Sequence, residues 1–159
     1  MAMKAAGSQN PVSGSDGLIE PADVRLSKKL DEPDSDNFAA GRRVMEQVYG
    51  KDLLPLSAKP GDSPWADETV THLFARIWSR PGLSVRDRRL LVIGATAALG
   101  RAELIEIQVL GALRNGELNE TELEEVLLQL AFYVGWPNAT AVSRAIQAAL
   151  QQHRSGSEP

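Results

Sequence analysis

The chain has 159 residues, with 17 Lys and Arg against 21 Asp and Glu, a formal net charge of −4 and no cysteine. The acidic balance argues against a nucleic-acid partner, because phosphate binding needs clustered cations and the one such cluster is Arg86, Arg88 and Arg89; the missing thiol excludes disulfides, thiolate metal sites, Cys-x-x-Cys redox chemistry and a cysteine nucleophile. The length suits one domain with a buried core, no apolar run reaches the about 20 residues a bilayer span requires, and no signal-peptide core opens the chain, so a cytoplasmic protein without membrane contact is expected.

Residues 1–36 are rich in Gly, Ser, Asp and Pro with scattered apolar side chains, which predicts a disordered or arm-like segment, with Leu18 to Leu30 laid over a neighbouring subunit. A first helix is expected from Asp36 or Asn37 through Phe38, Gly41, Val44, Met45, Val48 and Tyr49, ended by Gly50. A Pro- and Gly-bearing loop follows to Ser63-Pro64, which supplies a cap and a first-turn proline for a second helix carrying Trp65, Val70, Leu73, Phe74, Ile77 and Trp78. Arg80-Pro81-Gly82 breaks that helix.

Ser84 and Asp87 have capping-box spacing, and from Leu90 to Leu99 no residue is charged. A helix apolar on every side is expected to be surrounded by others. Its small residues Gly94, Ala95, Ala97 and Ala98 allow close approach by another helix of the same chain or of another subunit. Beyond Gly100, Glu103–Asn115 reads as a helix with Leu104, Ile107, Leu110 and Leu113 inward. Asn119 and Glu122 cap the next, which faces Leu123, Val126, Leu127, Leu130, Ala131 and Val134 to the core and ends at Gly135. A last helix over Asn138–Gln152 turns Ala141, Val142, Ala145, Ile146, Ala149 and Leu150 inward, and 153–159 reads as a disordered tail. No strand alternation is visible. The expected architecture is therefore all-α: a compact bundle of about six helices around a buried central helix, spanning 37–152.

Three patterns stand in order: Trp78-Ser79-Arg80-Pro81-Gly82-Leu83-Ser84 with Arg86-Asp87-Arg88, then Gly111-Ala112-Leu113-Arg114-Asn115-Gly116, then Tyr133-Val134-Gly135-Trp136-Pro137-Asn138-Ala139. Together they resemble the carboxymuconolactone decarboxylase family, which includes alkylhydroperoxidase D-like proteins, over about Phe38 to Leu150. The resemblance implies an alkylhydroperoxidase D-like helical fold, ring-like homo-oligomers such as trimers or hexamers, and pockets near subunit contacts. It also implies decarboxylation of an unsaturated, carboxylated lactone with no cofactor, since the lactone itself accepts the electrons left by carbon dioxide; separately, no set of His, Asp and Glu has metal-ligand spacing, so no metal is expected.

Members of that family usually place a His just before the Gly-Ala-Leu motif, and the matching residue here is Gln108, which can donate to an oxyanion but does not titrate. The peroxidase branch needs a Cys pair and a Glu, whose positions fall on Arg101, Leu104 and Arg89, so thiol peroxidase chemistry is excluded. The resemblance places Arg89 among the active groups, as holder of a substrate carboxylate; by its position alone it also reads as an ion-paired first-turn arginine. Gln108 reads as a pocket donor or as a core amide. Trp136 and Tyr133 read as walls of a flat ligand's cavity or as core, and His72, the one histidine inside the expected domain, as a substrate contact or a surface residue. Glu103 and Glu106 read as a solvated helix edge. The expected ligand is a small carboxylate or lactone, with a non-catalytic binding or scaffold oligomer of the same fold as the alternative.

Overall fold

A computed structural model describes residues 35–50 and 59–156; residues 1–34 of the N-terminal segment expected over 1–36, the loop residues 51–58 and the last three residues lie outside the described residues, and positions 35 and 36 are the start of a helix. Six α-helices and one π-helical segment make up the fold, with no strand among the described residues: α1 (Ser35–Tyr49), α2 (Pro64–Glu68) running directly into the π-helix (Thr69–Trp78), α3 (Val85–Ala98), α4 (Ala102–Arg114), α5 (Glu120–Val134) and α6 (Trp136–Ser155).

The helix starts follow their caps. Ser63 Oγ accepts the Ala66 N–H at 3.1 Å, with Pro64 at the head of α2. Ser84 Oγ accepts the Asp87 N–H at 3.1 Å and donates to the Asp87 carboxylate at 2.7 Å, so the reciprocal bond of this cap goes to the hydroxyl. Asn119 and Glu122 form the full reciprocal box, each side chain accepting the other's backbone N–H at 2.9 Å. Such caps satisfy donors that no carbonyl of the helix can reach.

α3 stands between two apolar clusters. Ile93 and Ala97 join Ile105, Val109, Leu110, Leu123, Val142, Ile146 and their neighbours from α4, α5 and α6, while Val85 and Val92 pack against Phe38, Met45, Val48, Val70, Phe74 and Trp78 from α1 and the π-helix. Each fully buried large side chain contributes about 1.5–3 kcal/mol of transfer free energy, so both clusters are needed to hold the bundle. The second one also depends on Gly41, where an ideal Cβ would lie 1.9 Å from the Val70 carbonyl oxygen. Only a residue without a side chain lets α1 and the π-helix touch backbone to backbone here.

Four local expectations change. The uncharged stretch from Leu90 to Leu99, which makes up the rest of α3 after its charged first turns and the residue that caps it, is central but not enclosed: Leu91 is 64% and Leu99 74% exposed, with Ala95 and Ala98 also open. A residue-by-residue absence of charge thus does not force burial within one chain, since two buried neighbours on opposite sides leave a third stripe free. On α4 Leu110 is buried and Leu113 packs against the first cluster as expected, but Ile105, Gln108, Val109 and Ala112 are buried too and Leu104 is 39% exposed, because Gln108 finds polar partners in the core and does not need water. The second helix buries Ala66, Val70, Phe74 and Trp78 and leaves Trp65, Leu73 and Ile77 exposed; its i→i+5 bonding from Thr69 on shifts the angular spacing that an α-helical count assumes. Finally, α6 starts at Trp136 with Pro137 in its first turn, where no N–H is required, and runs on through His153 and Arg154 to Ser155.

Candidate functional site

Arg89, on the second turn of α3, is fully buried between the two clusters. Its five N–H groups meet five acceptor contacts. Nε donates to Glu117 Oε2 at 2.6 Å, Nη2 to Glu117 Oε1 at 3.2 Å and to the Val48 carbonyl at 2.6 Å, and Nη1 to Gln108 Oε1 at 3.0 Å and the Gln108 carbonyl at 3.2 Å. A buried guanidinium is tolerated only when paired and fully hydrogen-bonded, and this one is. The Val48 carbonyl lies in the last turn of α1, among groups that lack an intrahelical donor and carry the negative end of the helix dipole, so the cation also closes that helix.

Glu117, in the turn after α4, is itself fixed. Asn115 Nδ2 donates to its Oε1 at 2.9 Å and to the Gln47 carbonyl at 2.7 Å, and Arg86 Nε donates to the Glu117 backbone carbonyl at 3.0 Å. Gly111 explains the glycine of its motif: an ideal Cβ would meet the Val48 carbonyl oxygen at 2.7 Å and Arg89 Nη1 at 2.8 Å. Ala112, next to it, is buried in the first cluster. The Gly111-Ala112-Leu113-Arg114-Asn115-Gly116 pattern is therefore the seat of the Arg89 network.

Gln108 continues the network to Tyr49. Its Nε2 donates to the Tyr49 hydroxyl oxygen at 2.9 Å, and the half-buried Tyr49 ring meets Phe74 edge-on with centroids 5.9 Å apart. Burial raises the Tyr49 phenol above its ordinary pKa, against the smaller lowering effects of the Gln108 hydrogen bond and the Arg89 charge, so the phenol is neutral at physiological pH. The four side chains Glu117, Arg89, Gln108 and Tyr49 form one continuous line from a carboxylate to a phenol.

Of the residues singled out from sequence, the structure brings together Arg89 and Gln108. The two-pronged carboxylate partner of Arg89 is Glu117 of the same chain. Tyr133 and Trp136 are 79% and 64% exposed at the junction of α5 and α6, and Trp136 meets Phe132 edge-on. Trp136 lines a groove of about 300 Å³ with Leu127, Leu128, Ala131 and Ala139; a second groove of about 500 Å³, between α3 and α5, is floored by Leu90, Ile93, Val126 and Leu130 beside the Arg86–Glu122 pair at 3.0 Å. Neither groove is lined by Arg89, Gln108 or Tyr49. His72 is exposed on the π-helix. Glu103 is exposed and bonded to Arg101, a contact that lowers its carboxyl pKa, as expected of a helix edge. Among the described residues no group of three or more His, Asp or Glu is arranged to hold a metal ion.

Sequence reasoning missed Tyr49 and Glu117 as members of this network. Glu117 had a usable signal, standing just beyond the glycine motif near an arginine expected to need a carboxylate. Tyr49 had none, since it falls on the apolar stripe of α1 and its partner lies 59 residues away.

An all-helical bundle with a polar network seated on the Gly-Ala-Leu motif has the features of the enzyme family suggested by the sequence patterns, and the comparisons agree. The sequence model of the carboxymuconolactone decarboxylase family matches residues 64–148. A 4-carboxymuconolactone decarboxylase from Acinetobacter baylyi is 34% identical over 111 residues, covering 68% of this chain and 82% of that protein. A nitrosuccinic acid decarboxylase from Metarhizium robertsii is 29% identical over 106 residues, covering 64% of this chain and 72% of that protein. The chain belongs to the carboxymuconolactone decarboxylase family. Arg89, Gln108 and Glu117 lie within the matched stretch and Tyr49 outside it.

Proposed function

We propose that this protein is a cofactor-free decarboxylase acting on a small carboxylate that carries its own electron acceptor, such as an unsaturated lactone acid. The observation that carries this reading is the hydrogen bonding of Gln108, which Arg89 holds with its amide N–H groups directed away from the guanidinium, at the position where the family resemblance expects a His. Loss of carbon dioxide leaves the C–C electron pair on carbon, from where it passes into the conjugated carbonyl; the enolate oxygen takes a hydrogen bond from the Gln108 amide, and solvent water delivers the one proton that replaces carbon dioxide on carbon, since Gln108 does not titrate. Both relatives are named for substrates of this kind, a lactone acid and a nitro acid, in which a neighbouring group can take up the electrons. Arg89 works here by orienting Gln108.

Assembly belongs to the same reading. The exposed Phe132, Tyr133 and Trp136, with Leu91 on α3 and Leu99 just past its end, offer apolar area for contacts in a trimer or hexamer of this chain in the cytoplasm. Tyr133, Trp136 and His72 would then wall the substrate only with a second copy in place.

The test is an assay of the purified protein with 4-carboxymuconolactone, nitrosuccinate, related lactones and 3-oxo acids, following ultraviolet absorbance and carbon dioxide release. The expected result is turnover that falls about 100-fold in Gln108→Ala, the usual effect of deleting one oxyanion donor. Absence of turnover at enzyme concentrations close to that of substrate overturns the proposal. One observation favours a second reading, a non-catalytic binding oligomer: all five Arg89 donors are already engaged within the chain, leaving no free cation at the network for a substrate carboxylate.

A further inference from the structure

The direction of each hydrogen bond in the Glu117–Arg89–Gln108–Tyr49 line follows from chemistry. A guanidinium has donors only, so the Gln108 atom facing Arg89 Nη1 at 3.0 Å is the amide oxygen. The other amide atom, 2.9 Å from the Tyr49 hydroxyl, is then the NH₂ group, which accepts nothing. Tyr49 must therefore accept in this bond, and its single phenolic proton is left over. Among the described residues no acceptor takes that proton. The ring is fixed against Phe74 at one side, while the residue as a whole is only half-buried.

We propose that Tyr49 is the O–H donor of the site, giving a hydrogen bond to a carboxylate or enolate oxygen of the substrate, and that Glu117 and Arg89 are positioning residues that set the direction of the line. This rests on the decarboxylase reading for its substrate, but not for its geometry. An amide whose oxygen is pinned by a cation donates more strongly from its nitrogen, and a phenol that accepts a hydrogen bond donates more strongly in turn, so each member polarises the next. Glu117 keeps the guanidinium in the plane that meets Gln108 Oε1, through its two contacts at 2.6 and 3.2 Å. Without Glu117 the guanidinium keeps only its Val48 and Gln108 acceptors, and the plane that meets the amide oxygen is held less firmly. Tyr49 stands at the C-terminal end of α1, so the donor is carried on a helix that Arg89 also closes.

The experiment uses the full chain with two variants, Tyr49→Phe and Gln108→Glu. Glutamate at 108 keeps a partner for Arg89 but presents an oxygen to Tyr49, which then donates inward. Both variants are expected to lose about 100-fold in kcat with KM changed by no more than a few-fold. Because Gln108→Glu also removes the amide donor, its kcat falls whichever way Tyr49 points, so the direction of the hydroxyl is read from the spectrum below, and an unchanged kcat in this variant overturns the role of residue 108 and with it the line. Retention of kcat by Tyr49→Phe overturns it as well.

A second readout does not depend on turnover. The sequence holds two tyrosines, so subtracting the spectrum of the matching Tyr49→Phe variant leaves the Raman Fermi doublet of Tyr49 alone, which separates an accepting hydroxyl from a donating one. An accepting band in the parent background is expected, with a donating band in Gln108→Glu and a mixed band when a saturated carboxylated lactone, which cannot be decarboxylated, is added. A donating band in the parent, or a doublet that the lactone leaves unchanged, overturns the assignment of Tyr49. Absence of turnover with every substrate while the lactone still moves the doublet overturns the decarboxylase reading and keeps Tyr49 as the ligand's donor.

Discussion

Arg89 Nη2 donates to the Val48 carbonyl across 2.6 Å, so a cation on α3 terminates α1 from the side. Arg89 is thereby the polar tie between two clusters whose apolar residues otherwise meet through Val85 and Val92. Its removal should be costly. Arg89→Met leaves the Val48 carbonyl, the Gln108 amide oxygen and the Glu117 carboxylate without their donor in a buried place, and a loss of about 3–5 kcal/mol is expected, the range for breaking one side of a buried ion pair. Urea unfolding of the two proteins measures it. A loss under about 1 kcal/mol would show that water replaces the guanidinium at little cost.

Gly41→Ala tests the contact of α1 with the π-helix. The added methyl would lie 1.9 Å from the Val70 carbonyl oxygen, a backbone atom that no rotamer change can move. The helices must separate, which loosens Met45 and Val48 against Val70 and Phe74, and overpacking of this kind costs about 1–3 kcal/mol or more. Thermal unfolding should show the loss. Gly94→Ala, where an ideal Cβ meets nothing within 4 Å, is the control and should be neutral or slightly stabilising through helix propensity.

These two sites also show what the sequence could tell. Periodicity located every helix, the cap residues Ser63, Ser84 and Asn119 marked three starts, and the inward faces of α5 and α6 follow the count almost residue by residue. Family patterning put Arg89 and Gln108 near each other. What it could not give was the partner of each. Arg89 and Glu117 are 28 residues apart, Gln108 and Tyr49 59 apart, and such pairings depend on how helices cross, which no local pattern encodes. The exposure of Leu91 and Leu99 was hidden for a related reason: hydrophobicity says that a surface wants a partner, but not whether the same chain provides it.

Stability should respond to pH at both ends through two identified groups. The Asn119 backbone N–H, and secondarily Arg86, hold the Glu122 carboxyl below its ordinary range. A depressed folded-state pKa means that the unfolded chain binds more protons, so this contribution is complete above about pH 4.5 and lost as pH falls through the folded value. Glu122→Gln should flatten the acid limb of a plot of melting temperature against pH. Tyr49 has the opposite sign. Its phenol is raised by burial, so the folded state holds the proton longer, and stability falls as pH climbs above the ordinary tyrosine value of 10.0. Tyr49→Phe should remove that part of the alkaline loss; an alkaline limb unchanged in the variant would mean that the phenol ionises equally in both states.

Gln108→His places the family's usual residue back into this network and has a definite expected outcome. A neutral imidazole has one acceptor and one donor, so one ring nitrogen can accept from Arg89 Nη1 while the other donates to the Tyr49 oxygen, reproducing both bonds of the glutamine. Burial and the Arg89 cation both oppose a second positive charge, and they push the histidine below its usual value of about 6.5. The variant should therefore fold like the parent near pH 7. As pH falls below about 6.5 the unfolded chain gains a proton that the folded one resists, so stability drops toward the depressed folded value, and the protonated ring loses its acceptor for Arg89. The single imidazole N–H is committed to Tyr49, so the second amide N–H that the parent offers an enolate oxygen is lost; kcat on 4-carboxymuconolactone should fall at pH 7 to what the Tyr49 hydroxyl alone supports and acquire an acid limb that the parent lacks, read from rate against pH for both proteins. An identical acid limb in the parent would place the titrating group elsewhere, and a variant that unfolds at pH 7 would show that the space around residue 108 accepts an amide but not a ring.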